Sequence, residues 1–261
     1  MAKKEFHYLL TLEFLGFRFH GFAKQKDLLT IQGVLDKTII YNYPELSFRT
    51  IAASRTDAKV SALDLKVALY SDQELDLKSL QLTLDDHSPQ DVRVKDVEIL
   101  DPKVNIIQNA KRKTYRYYFC KKEVFTPFMA PYIACHFDDF ETEKMMKAAP
   151  HFIGSHDFKE FCYRKLELES YQRKIEACSI TQSTPFSADI FHDHIYCFEV
   201  IGEGFLRYQV RMMMGALFAL GNGKLTFDQI EKSLSGNYQD LEYKKAQASG
   251  LLLYKTDFIT S

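Results

Sequence analysis

Phe6-His7-Tyr8-Leu9-Leu10-Thr11-Leu12-Glu13-Phe14 puts Phe6, Tyr8, Leu10, Leu12 and Phe14 at every second position. Side chains of a strand alternate between faces, so this period of two predicts an opening strand with one face in a core. Ile31, Val34, Leu35, Thr38, Ile39 and Asn42 then recur at helical spacing behind Thr30, a residue type suited to capping a helix N-terminus. Leu63, Leu65, Val67 and Leu69 alternate again. Leu77, Leu80 and Leu84 return to helical spacing, and Val92, Val94, Val97 and Ile99 read as a strand. The first hundred residues predict strand, helix, strand, strand, helix, strand.

A second set follows. Thr114 to Cys120 is a Tyr-rich strand, residues 141–153 a helix, and residues 174–182 and 188–201 strands. Residues 204–220 read as a helix ended by Gly221 and Gly223, Thr226 with Gln229 has the pattern of a capping box, and Leu251 to Phe258 closes as a strand. The halves have a similar element order and divide at Asp101-Pro102, giving 1–102 and 103–261. Strands and helices without strict βα alternation predict the α+β class.

The composition suits a globular chain. Of 261 residues, 46% are hydrophobic, which excludes intrinsic disorder, and the net charge of −1 gives no global nucleic-acid signature. Asp72 to Asp101 holds nine acids against Lys78, Arg93 and Lys95, a net of −6, so the remainder carries +5. A polyanion can bind a locally basic face. The five cysteines are odd in number and contain no CxxC pair, which predicts reduced thiols in a cytoplasmic protein. His192 and His194 share a strand face but lack the further ligands a zinc site needs. The longest apolar run, Met212 to Leu220, is too short to span a membrane. Lys3 and Lys4 precede apolar residues, but Glu13 interrupts and no small-residue cleavage site follows, so no signal peptide is expected.

Gly202-Glu203-Gly204 lacks the third glycine of a dinucleotide loop, and Gly221-Asn222-Gly223-Lys224 lacks P-loop spacing and reads as a helix-ending turn. Three segments hold more chemistry. Ala53-Ser54-Arg55-Thr56-Asp57-Ala58 suits an ordinary turn, but Arg55 near Asp57 also suits a carboxylate kept ionised as nucleophile or base. Lys111 to Lys122 carries six cations interleaved with Tyr115, Tyr117 and Tyr118 and no acid, a pattern shared by nucleic-acid surfaces and solvated basic strands. Arg207 and Arg211 are four apart beside an apolar helix, reading as an anion-binding pair or as two snorkelling arginines.

In this order the segments resemble the tRNA pseudouridine synthase A family. The matching stretches are Phe19-His20-Gly21-Phe22-Ala23-Lys24-Gln25, Thr30-Ile31-Gln32, Ser54-Arg55-Thr56-Asp57-Ala58-Lys59-Val60-Ser61-Ala62, Lys113-Thr114-Tyr115-Arg116-Tyr117, Gly154-Ser155-His156-Asp157-Phe158, Phe205-Leu206 through Val210-Arg211 to Gly215, and Ala248-Ser249-Gly250-Leu251. Together they span nearly the whole chain. The resemblance implies two ferredoxin-like α/β halves joined in a central antiparallel sheet with a cleft, and a cytoplasmic homodimer acting on tRNA. The implied reaction isomerises uridine to pseudouridine at positions 38 to 40 of the anticodon stem-loop, with no cofactor and no metal.

By matching position, Asp57 is the catalytic carboxylate, Arg55 helps open the RNA, Tyr115 stacks on the uracil, Arg211 pairs with Asp57, and Leu251 walls the base. With Leu251, the candidate substrate-binding residues are Lys59, Arg116, Lys111, Arg207 and Gln25, and the candidate basic face adds Lys24, Lys26, Arg112, Lys113, Arg164 and Lys165. The chain departs from the family pattern at Lys59-Val60-Ser61 (Gly-Val-His), Asn105-Ile106-Ile107 (His-Ala-Arg), Gln247 (Pro) and Met212 (Asn). Those departures leave two alternatives open: a synthase acting on another tRNA or rRNA site, and a non-catalytic RNA-binding or chaperone relic of the fold. A protein-interaction domain of the same fold, without RNA binding, is a third.

Overall fold

The computed structural model describes residues 5–162, 170–183, 194–237 and 240–259. The chain forms two compact units, Met1–Lys111 with Leu252–Ser261, and Arg112–Leu251.

The first unit begins with β1 (Phe6–Phe14), α1 (Ile31–Asn42), β2 (Phe48–Ala52), β3 (Ser61–Ser71), α2 (Leu77–Asp86) and β4 (Val92–Ile99). β1 pairs antiparallel with β3 and β4, and β2 pairs antiparallel with β3. The resulting order β4-β1-β3-β2 is that of a ferredoxin-like βαββαβ unit. Leu10, Leu12, Leu65, Val67 and Leu69 are fully buried, as the alternation predicted, and Ile31, Leu35 and Ile39 of α1 and Leu80 and Leu84 of α2 are buried too. Thr30 caps α1 by accepting from the Gly33 N–H, and Asp76 caps α2 through Ser79.

The second unit holds β5 (Ala110–Lys121, whose first two residues lie in the first unit), β6 (Ala134–His136), α3 (Thr142–Ala148), β7 (Gly154–Asp157), β8 (Gln172–Gln182), β9 (Tyr196–Gly202), α4 (Gln209–Gly221) and α5 (Phe227–Leu234). β9 lies between β5 and β8, β7 pairs with β8, and all three of these pairings are antiparallel. α4 is buried on almost every side, and Tyr117 and Phe119 of β5 pack on its Phe218. The chain ends in β10 (Leu251–Phe258), which from Leu252 onward belongs to the first unit.

The fold is the expected mixed α/β arrangement, with four corrections. Strand pairing in each unit is mixed rather than antiparallel, because β10 runs parallel to β3 in the first and β6 parallel to β5 in the second. The helix expected over 141–153 stops at Ala148 and continues as a 3-10 turn, Ala149–Phe152, around Pro150, which lacks the N–H a helix needs. The strand expected from residue 188 starts at Tyr196; residues 188–193 lie outside the described residues. The helix expected from residue 204 starts only at Gln209.

The sequence divides the chain after Pro102, whereas the compact units divide after Lys111. Val104, Ile106 and Ala110 pack with Leu9, Ala68 and Leu100, which keeps this segment in the first core. The Asn105-Ile106-Ile107 stretch lies within this segment. Ile106 is buried, and the Asn105 Oδ1 accepts from the Ile107 and Gln108 N–H groups to form the turn.

Candidate active site

Asp57 sits on the loop between β2 and β3, and the first unit shapes that loop through backbone contacts. Gly21 has φ +97°, and a β-carbon there would lie 2.8 Å from the Thr56 carbonyl oxygen. The Phe22 N–H donates to that oxygen (3.1 Å), and the Lys59 N–H donates to the Phe19 carbonyl (3.0 Å). Phe19 and Phe22 are buried, so the stretch from Phe19 to Phe22 clamps the loop. Gln32 then ties this segment to β2: its Nε2 donates to the Thr50 carbonyl and hydroxyl (both 3.1 Å), and its Oε1 accepts from the Lys24 N–H. Asp57 is half-buried and Arg55 is exposed. The Ser54 and Thr56 hydroxyls are buried and have no hydrogen-bond partner among the described residues.

In the second unit, alternation along β5 puts Lys113, Tyr115, Tyr117 and Phe119 on one face and Thr114, Arg116 and Tyr118 on the other. Tyr115 is half-buried and meets Phe205 edge to face at 5.1 Å. Burial pushes the Lys113 ammonium below its usual pKa. Burial raises the Tyr117 phenol, and the nearby Arg211 charge opposes it. Arg211 lies buried in the first turn of α4, with Nε donating to the Ala246 carbonyl (2.9 Å) while its own carbonyl accepts from the Ala246 N–H (3.1 Å). Gly215, one turn on, makes room for this strap: a β-carbon there would lie 2.2 Å from the Lys244 carbonyl. The Tyr118 N–H donates to the Gly250 carbonyl (2.9 Å), and a Gly250 β-carbon would meet the Tyr118 carbonyl at 2.5 Å. Leu251 is thereby buried at the end of the strap.

A profile of the family described as tRNA pseudouridine synthase matches residues 148–258. Over 258 residues the chain is 30% identical to tRNA pseudouridine synthase A of Limosilactobacillus reuteri (strain DSM 20016), covering 98% of each. It is also 30% identical over 253 residues to tRNA pseudouridine synthase A 2 of Bacillus anthracis, covering 97% of this chain and 99% of that one. The chain belongs to the tRNA pseudouridine synthase A family.

Within that family's frame, the first unit carries Arg55, Asp57 and Lys59 on the stretch between β2 and β3, and Gln25 on the segment between β1 and α1. Gln25 is exposed and acts on the backbone, its Nε2 donating to the His20 carbonyl (2.9 Å). The second unit gathers Tyr115, Arg211 and Leu251 around β5 and α4. Arg207 does not share a helical face with Arg211. It precedes the helix, because Tyr208 takes φ +63° and the Gln209 side chain accepts from the Leu206 N–H, which starts α4 late. Arg207 is exposed beside the Tyr208 ring (5.1 Å), which the Lys245 ammonium also covers (3.5 Å).

Arg116 points to the face opposite Tyr115, where its Nε donates to Glu199 of β9 (2.7 Å). The run from Lys111 to Lys122 holds no acid of its own, but neighbouring segments supply three. Arg112 pairs with Glu176, Arg116 with Glu199 and Lys121 with Asp139. Lys111 is exposed, and Lys24 pairs with Asp36. Arg164, Lys165 and His192 lie outside the described residues.

Sequence reasoning matched Gly21 and Gln32 to the family without seeing what they do. The signal was the glycine between two aromatics. The Gly154-Ser155-His156-Asp157-Phe158 stretch is structural: Gly154 has φ +119°, Asp157 accepts from the Lys159 N–H (2.8 Å), and Phe158 is buried against Phe152 and Phe161. No group of three or more potential metal ligands occurs among the described residues, and no described helix is long and apolar enough to cross a membrane.

Proposed function

We infer that this chain isomerises uridine to pseudouridine in tRNA, at positions 38 to 40 of the anticodon stem-loop, with Asp57 as the catalytic carboxylate. The observation that carries this reading is the seat of Asp57, on a loop clamped by Phe19, Gly21 and Phe22 in a chain of this family. The reaction breaks the N1–C1′ bond, turns the uracil, forms a C5–C1′ bond and releases the C5 proton while N1 gains one. It is redox-neutral and balanced, so it calls for no cofactor.

The uridine must leave the base stack to be reached. Asp57 then attacks the nucleoside or removes its proton, Tyr115 stacks on the uracil, Leu251 walls it, and Arg55 holds the RNA open. Arg211, fixed through Ala246, supplies a buried cation in the second unit. We place the enzyme in the cytoplasm as a homodimer. The five free, buried cysteines agree with a reducing compartment, and light scattering tests the dimer.

The test is pseudouridine mapping on unmodified total tRNA and ribosomal RNA incubated with purified protein, wild type beside Asp57→Asn. We expect wild type to modify positions 38 to 40 and the variant to lose at least about 10³-fold in rate while still binding tRNA. Modification elsewhere would move the target site. No modification by wild type, with RNA binding intact, would leave the binding-relic reading.

A further inference from the structure

The Val60 N–H donates to the Asp57 carbonyl (3.2 Å), closing a four-residue turn over Asp57–Val60. Lys59 is its third residue, with φ +66°. Positive φ at the third position of a turn is the place of glycine, because a β-carbon there is strained. Strain kept at a functional loop needs a gain elsewhere. The Lys59 side chain is exposed and makes no ion pair among the described residues, so no salt bridge supplies that gain.

What it does approach is an aromatic ring. The Gly16–Arg18 turn is pressed on the loop, since a Gly16 β-carbon would lie 2.0 Å from the Val60 carbonyl and the Gly16 N–H donates to the Ser61 Oγ (2.9 Å). That contact sets Phe17, 37% exposed, with its ring centroid 5.7 Å from the Lys59 Nζ. The next cation, Arg18, is bound to Asp91 and lies over Phe19 at 4.8 Å. The ammonium left available beside Phe17 is therefore that of Lys59. An exposed ring next to an unpaired cation is the combination that holds one nucleotide of a single strand, base on ring and phosphate on cation.

We propose that Lys59 and Phe17 form a nucleotide subsite beside Asp57, the ammonium binding a backbone phosphate and the ring stacking on a base flanking the target uridine. The subsite rests on the tRNA-modifying reading of the Asp57 loop. It gives Ser61 a role as well: its hydroxyl holds Gly16, and so Phe17, in register with Lys59.

The experiment measures steady-state pseudouridine formation on unmodified tRNA across a NaCl series, using full-length Lys59→Gly, Lys59→Gln, Phe17→Ala and Phe17→Leu. Lys59→Gly removes the charge and the strain together, so we expect its Tm to rise. We expect both Lys59 variants to raise KM several-fold, with kcat within about twofold of wild type. Their plots of log(kcat/KM) against log salt should be shallower by about 0.7–0.9, one phosphate contact. Both Phe17 variants should raise KM roughly tenfold with the salt slope unchanged, because stacking carries no charge.

Wild-type KM and slope in both Lys59 variants, or a loss confined to kcat, overturns the phosphate contact. Wild-type KM in Phe17→Leu, which keeps the packing and loses the planar ring, overturns the stacking. Should wild type form no pseudouridine, the functional reading falls separately. Direct tRNA binding across the same salt series still decides the subsite, and equal slopes for wild type and Lys59→Gly overturn it.

Discussion

Gly21 and Lys59 both hold positive φ at or beside the Asp57 loop, for different reasons. Gly21 is there because nothing larger fits: its missing β-carbon is where the Thr56 carbonyl passes. Lys59 is there although a smaller residue would fit better, since it is exposed and its backbone alone meets Phe19. Gly21→Ala is therefore expected to cost about 1–3 kcal/mol of stability, from the strained φ and the backbone clash. Shifting Asp57 by even about 1 Å should also lower kcat on the order of 10²-fold. Chemical denaturation and pseudouridine formation check the two effects separately. The cysteines sit at the other extreme of reactivity. Burial pushes the thiols of Cys120 and Cys197 up to about 12 and about 11, which leaves them protonated and inert at neutral pH.

Single side chains also decide how elements are stapled together. α2 is fixed to β4 by Asp85, which accepts from the Arg93 Nε (2.8 Å) and Nη2 (2.7 Å) and from the Val94 N–H (3.1 Å). The Arg93 hydrogen bond, with the smaller help of the Val94 N–H, holds the Asp85 carboxyl below its ordinary pKa. A carboxyl with a lowered folded-state pKa stabilises the protein above its unfolded value and loses that contribution as pH falls through the folded one. Asp85→Asn should therefore cost about 0.5–1 kcal/mol at pH 7, and the gap from wild type should close below about pH 4. Urea denaturation over a pH series measures it. α4 shows the same dependence on contact, for its late start at Gln209 comes from the Tyr208 backbone and the Gln209 side chain, not from hydrophobic spacing.

For the molecule as a whole, the first unit is not finished until the last strand. β10 pairs with β3 through Leu252 and Leu253, and further along it the Thr256 N–H donates to the Asp64 carboxylate (2.8 Å) and the Thr256 hydroxyl to the Asp64 carbonyl (2.7 Å). Thr256→Val removes the second bond, the one from its hydroxyl to the part-buried Asp64 carbonyl. We expect a loss of about 1–2 kcal/mol and reduced hydrogen-exchange protection along β3, far from residue 256 in sequence. Charge is also settled at this scale. A net charge of −1 describes the chain, but ion pairs at Arg112, Arg116 and Lys121 remove cations that the sequence shows as a basic run.

The sequence by itself determined the α+β class, the family and most of the element order, though not the short strands β6 and β7. Period-two and helical spacings report which face of an element is buried, and local caps such as Thr30 and the Thr226–Gln229 box are written within four residues. It also singled out Asp57, Tyr115 and Arg211 by matched position. Only the tertiary structure decided what depends on residues distant in sequence. It put Arg116 on the far face of β5 against Glu199, drew Ile106 into the first core, and bound Arg211 to Ala246. It likewise set Phe17 beside Lys59 through the Gly16 contact with Val60. The physical reason is that periodicity records burial averaged over one element. An ion pair, a clamp or a strained turn is fixed by a single partner that another segment brings.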